Sequence, residues 1–79
     1  MTEKYLYHGM DITLDVYEKI RTVVEMLAEK EQRSFDEMYL IFAGSRTYTA
    51  LEKPDSLMWA ESAEFIVDEY DREVARGRG

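Results

Sequence analysis

The sequence predicts an all-α domain, a small bundle of three to four helices, and three observations carry that prediction. Apolar residues recur at helical spacing from about Asp15 to Glu31. Ser34 and Glu37 stand three apart ahead of a strongly apolar run, the spacing of a capping box. After Pro54 the helical period returns. On a 3.6-residue wheel Trp59, Ala63, Ile66, Val67, Tyr70 and Val74 fall on one side, and Glu61, Glu64, Asp68 and Asp71 fall on the other.

The N-terminal residues read two ways. Ile12, Leu14 and Val16 alternate with Asp11, Thr13 and Asp15, which is the period of a strand; the same residues also fit the first turn of the long helix. Gly9 separates them from Tyr5-Leu6-Tyr7. In the first helix Val16, Ile20, Val23, Val24, Leu27 and Ala28 form the apolar stripe, with Lys19, Arg21, Glu25 and Glu29 opposite. In the second, Asp36 adds charge that the helix dipole favours. Met38 to Phe42 are apolar enough to predict near-complete enclosure, and Gly44 ends the helix. Ser45 caps a short third helix carrying Tyr48 and Leu51. Pro54 stops it by removing a donor and disfavouring helical geometry in the residue before it, so Lys53 to Ser56 reads as a turn. The fourth helix starts between Ser56 and Ser62 and lasts to about Ala75.

Seventy-nine residues make one domain, residues 1–79, with 1–11 and 76–79 expected to be loosely ordered. So short a chain buries only about 60% of the surface its unfolded form exposes. Disulfides cannot help, because there is no cysteine, and a single histidine with no thiolate argues against structural zinc. Helix packing and association remain, and 46% hydrophobic residues with six tyrosines supply material for both.

Lack of cysteine fits a reducing compartment. No apolar run reaches the length of a membrane span, and the first residues lack the apolar stretch of a signal peptide, so a soluble, cytoplasmic protein is expected. A net charge of −7 argues against nucleic acid as a partner, because that affinity comes chiefly from cationic side chains.

Candidate chemistry is sparse. His8 has no nucleophile or acid–base partner suggested by spacing, so a surface or packing role is expected of it. Glu61, Glu64, Asp68 and Asp71 lack the spacing and glycine turn of a calcium loop and read as a solvated helix face. No phosphate loop, nucleophile elbow or cofactor motif is present, so neither a catalytic residue nor a cofactor is expected. Among the aromatic residues Phe42 and Phe65 are assigned to the core. Tyr39, Tyr48, Trp59 and Tyr70 carry polar groups that seek partners, as interface aromatics do.

Two resemblances follow from longer stretches. ITLDV, YEKIRTVVEMLAEKEQRS and FDEMYLIF, residues 12–42, resemble the strand, first helix and second helix of ribbon-helix-helix DNA-binding regulators. The departure is in the strand: its projecting side chains would be Asp11, Thr13 and Asp15, two carboxylates aimed at an anionic duplex. Residues 20–73, with FAGSRTYTAL and LMWAESAEFIVDEYDRE, look like a group of short bacterial proteins found among toxin–antitoxin-like genes. That resemblance implies an all-helical fold and transfers no active-site residues.

The sequence thus points to a non-catalytic protein-interaction module, antitoxin-like or accessory. Its expected partner is another protein or a second copy in a dimer, bound through Tyr48, Leu51, Trp59, Ile66 and Tyr70. A ribbon-helix-helix transcriptional regulator is the alternative.

Overall fold

One long helix organises the computed structural model, which describes residues 5–77. This helix, α1, spans Thr13–Glu31, 19 residues and about 28 Å. Around it stand α2 (Phe35–Ala43), α3 (Arg46–Leu51) and α4 (Ala63–Ala75). Two 3₁₀ turns, Pro54–Ser56 and Met58–Ala60, join α3 to α4. The expected all-α bundle is present, with a small antiparallel hairpin at its N-terminal side.

That hairpin pairs β1 (Leu6–Tyr7) with β2 (Met10–Asp11) in the register Leu6–Asp11 and Tyr7–Met10. His8 and Gly9 form its two-residue turn, both at positive φ, 50° and 81°. That is the twist a tight hairpin favours and the reason glycine suits position 9. Residues 5–11, expected to be loosely ordered, are joined by backbone pairing and by the Ile12 amide donating to the Tyr5 carbonyl. The same expectation for residues 1–4, and for 78 and 79, lies outside the described residues.

The alternating stretch resolves into both of its readings, in sequence. Asp11 ends β2, Ile12 caps α1, and Thr13 onward is helical. Side chains enforce the switch: Asp11 Oδ1 accepts from the Thr13 amide at 3.0 Å, and Thr13 Oγ1 accepts from the Tyr5 amide at 2.9 Å. Once helical, Ile12 and Val16 face the core while Leu14, on the other side of the turn, is 73% exposed.

α1 ends in a left-handed residue, Gln32, with the Arg33 amide bonded to the Ala28 carbonyl at 2.9 Å, a Schellman-type stop. The capping box at Ser34 and Glu37 then starts α2. Ser45 Oγ donates to the Phe42 carbonyl and accepts from the Tyr48 amide, so one buried hydroxyl closes α2 and opens α3. Ser62 caps α4. Trp59 therefore lies in the Met58–Ala60 turn, four residues before the first residue of α4, rather than on the helix.

The core joins the predicted stripe of α1 to Met38 and Phe42 of α2, Leu51 of α3, and Ile66 and Tyr70 of α4. Two expectations fail. Phe65 is 40% exposed, because Ile66 and Tyr70 point inward and Phe65 lies a hundred degrees away around the helix. The enclosure expected for Met38–Phe42 is also incomplete: Met38 and Phe42 are buried, but Leu40 is 72% exposed on the opposite side.

In α4 the residue that completes the inward row is an acid. Glu73 is only 7% exposed. Its carboxylate accepts from the Arg46 amide at 2.9 Å, the Thr47 amide at 3.0 Å and the Thr47 hydroxyl at 2.8 Å. It caps the start of α3 from another helix. Glu73→Ala removes those acceptors and is expected to cost about 1.5–3 kcal/mol, with Glu73→Gln losing less because its carbonyl oxygen still accepts. Urea unfolding of both variants measures the difference.

Candidate interaction surface

Three clefts among the described residues differ in chemistry. The largest of the three, about 450 Å³, lies between α3, the Met58 turn and the end of α4, and includes Arg46, Thr47, Glu69 and Glu73. Its carboxylates are already committed, Glu73 to α3 and Glu69 to Arg72 at 2.6 Å. A second, about 200 Å³, lies beside Trp59 and is lined by Asp15, Glu18, Lys19 and Thr22. The third is an apolar groove of about 290 Å³ lined by Tyr17, Ile20 and Arg21 of α1, Phe35 and Tyr39 of α2, and Tyr48 of α3.

The groove is built by helical spacing. Val16 and Ile20 face inward, so Tyr17 and Arg21, one residue on, stand at the edge of the buried stripe. Phe35 and Tyr39 are four apart and share one face of α2. Their exposure, 45% for Tyr17, 40% for Phe35 and 37% for Tyr39, leaves a connected aromatic surface open to solvent. Exposed aromatic clusters of this kind are the usual anchors of protein interfaces.

Edge-to-face ring contacts fix the groove to the core. Tyr39 meets Tyr48 with centroids 6.4 Å apart, Tyr48 meets Phe42 at 5.6 Å, and Phe42 meets Tyr70 at 5.5 Å. Tyr17 is braced by Tyr5 at 5.8 Å, and the Tyr5 hydroxyl donates to Glu52 at 2.8 Å. Tyr17, Tyr39 and Tyr48 are thus held by neighbouring rings, and little order remains to be imposed on them when a partner arrives.

The five residues expected to form the interaction surface do not lie on one surface. Leu51, Ile66 and Tyr70 are buried in the core. On α4 the expected free apolar side is covered in its middle, at Ile66 and Tyr70, while Val74 at its end is 46% exposed. Trp59 is half-buried: its indole N–H donates to the Pro54 carbonyl at 2.8 Å, and its ring packs on Tyr7 at 5.7 Å. It lies on the flank of α1 that carries Asp15, Lys19 and Thr22, away from Tyr17 and Arg21. Tyr48 alone of the five reaches the aromatic groove. Tyr17 and Phe35 were not among the expected residues. Their signal in the sequence is an aromatic residue one step off a buried stripe, and an aromatic pair four apart.

The other residues considered for chemistry sit apart. His8 is exposed at the hairpin tip, its ring against Tyr7 at 4.3 Å. Glu61, Glu64 and Asp68 are exposed, and Asp71 pairs with Lys30 of α1, which raises the lysine pKa through that hydrogen bond. Among the described residues no three His, Asp or Glu side chains gather as a metal site would require, and no helix is long and apolar enough to cross a membrane.

Burial pushes the Tyr48 phenol pKa well above its ordinary value, reinforced by hydrogen bonding with Tyr39 and by the negative charge of Glu52. The folded state therefore holds this proton after the unfolded chain, titrating near 10, has released it. Its contribution to stability is complete below about pH 10 and is lost as the pH rises further. Unfolding midpoints from pH 7 to 11 are expected to fall more steeply at the alkaline end for the wild type than for Tyr48→Phe.

Comparison with known proteins gives no matching family model, no matching curated protein and no matching solved structure.

Proposed function

We propose that this protein is a non-catalytic interaction module that captures a protein partner, or a second copy of itself, through the aromatic groove between α1 and α2. One observation carries the reading: Tyr17, Phe35 and Tyr39 line one solvent-exposed apolar groove, in which Tyr17 and Tyr39 are braced by neighbouring rings. A domain of this size has little apolar area to spare, so large aromatic side chains held in water call for a reason. The net charge of −7 keeps the free protein soluble despite that surface.

An antitoxin-like or accessory role in the cytoplasm suits such a module: short, acidic, without cysteine, and dependent on contact rather than on bond-making. The ribbon-helix-helix reading draws no support from a segment that is helical from Thr13 onward.

Tyr17→Ala and Tyr39→Ala test the proposal, because both side chains are exposed enough to be shortened without opening the core. Loss of partner capture or self-association by at least roughly thirtyfold, about 2 kcal/mol, is expected with an unchanged far-ultraviolet circular dichroism spectrum. Tyr70→Ala is unsuitable for this purpose. Its ring is buried, and its removal is expected to lower stability by about 3–5 kcal/mol in urea unfolding. Undiminished association by both groove variants would remove the assignment.

A further inference from the structure

We infer that the N-terminal hairpin is a strap that controls the α1 wall of the aromatic groove, with Glu52 as its latch and Tyr5 as the residue that positions Tyr17. The inference rests on the interaction reading above for what the groove does, and adds how its shape is governed.

Two strands of two residues each, Leu6–Tyr7 and Met10–Asp11, are too short to hold together in water by their own pairing. Leu6 and Met10 are exposed, so the outer side of the hairpin buries little. Its order comes from the inner side. The Tyr5 hydroxyl donates to Glu52 at 2.8 Å, the Tyr5 ring meets Tyr17 edge-to-face at 5.8 Å, and Tyr7 packs on Trp59 at 5.7 Å. An element held by a few side-chain contacts opens at lower free energy than helices whose buried stripes must separate together.

Tyr5 joins the two walls of the groove. Its ring lies on Tyr17 of α1, while its hydroxyl reaches Glu52, 47 residues away at the end of α3. Glu52 stands one turn past Tyr48, its amide bonded to the Tyr48 carbonyl at 3.0 Å. It does not line the groove, so it acts on Tyr17 through Tyr5. When the hairpin lifts, the exposed Tyr17 loses the ring that braces it, and the groove loses a fixed wall. Hairpin order and groove shape are therefore linked. A partner that needs Tyr17 in place stabilises the closed hairpin by the same factor as the closed hairpin favours the partner.

Hydrogen exchange and aromatic NMR on the full chain test the coupling with no partner present. The Ile12 amide, which donates to the Tyr5 carbonyl at 2.8 Å, reports the hairpin, and the Val24 amide within α1 reports the core. In dilute urea Ile12 is expected to exchange faster than Val24 and with little urea dependence, the signature of a local opening. Glu52→Ala is expected to speed Ile12 exchange about fivefold and to move the Tyr17 ring resonances. Glu52→Gln keeps an acceptor oxygen and is expected to restore most of both. In a Tyr5→Phe background, where the hydroxyl is already gone, Glu52→Ala is expected to add nothing. Circular dichroism confirms that each variant is folded.

An Ile12 amide with the urea dependence of Val24 would make the hairpin part of one cooperative unit and overturn the inference. Tyr17 resonances left in place by Glu52→Ala would overturn it too, as would a shift of equal size with and without the Tyr5 hydroxyl. Each of these outcomes leaves the interaction reading standing, because that reading falls on partner capture by the groove variants and not on the hairpin.

Discussion

The buried carboxylate of Glu73 is the constraint on which the second half of the fold depends. α3 is six residues long, too short to persist by its own hydrogen bonds. It stands because Ser45 caps it locally and Glu73 accepts from the amides of Arg46 and Thr47 and the Thr47 hydroxyl. The same contacts fix α4 against α3, and so set where Leu51, Ile66 and Tyr70 enter the core. A carboxylate so far from water is tolerable because three donors surround it, two of them at a helix start where negative charge is favoured. Among the described residues no buried side-chain polar atom lacks a partner.

From that anchor the geometry passes outward by ring contacts. Tyr70 supports Phe42, Phe42 supports Tyr48, and Tyr48 supports Tyr39 at the surface. The aromatic groove is thus the outer end of the core rather than an accident of loose packing. α1 explains why it is open. The Trp59 turn lies along one flank of this long helix, and on the Tyr17 flank Phe35 and Tyr39 of α2 and Tyr48 of α3 line an open furrow.

The N-terminal segment shows how a few side-chain hydrogen bonds decide between two equally patterned conformations. Period-two alternation of Ile12, Leu14 and Val16 is compatible with a strand, and the same residues fit the first turn of a helix. The Asp11 and Thr13 oxygens take the amides of Thr13 and Tyr5, ending the hairpin and starting α1 within two residues. The tight His8–Gly9 turn brings Tyr5 within reach, and Tyr5 in turn braces Tyr17.

The sequence by itself determined the helices, because their signals are local: the apolar period of α1, the capping box at Ser34, the hydroxyl cap at Ser45 and the stop at Pro54 all act within a turn of the residues they govern. It also placed Tyr48 among the aromatic residues whose polar groups seek a partner. Only the tertiary structure decided which apolar faces remained wet. The wheel of α4 is equally amphipathic whether its apolar side meets α1 or a foreign protein, so Ile66 and Tyr70 could not be told from surface residues without knowing what covers them. Glu73 was hidden for the same reason, since a carboxylate belongs inside only when donors from a helix 26 and 27 residues away meet it there.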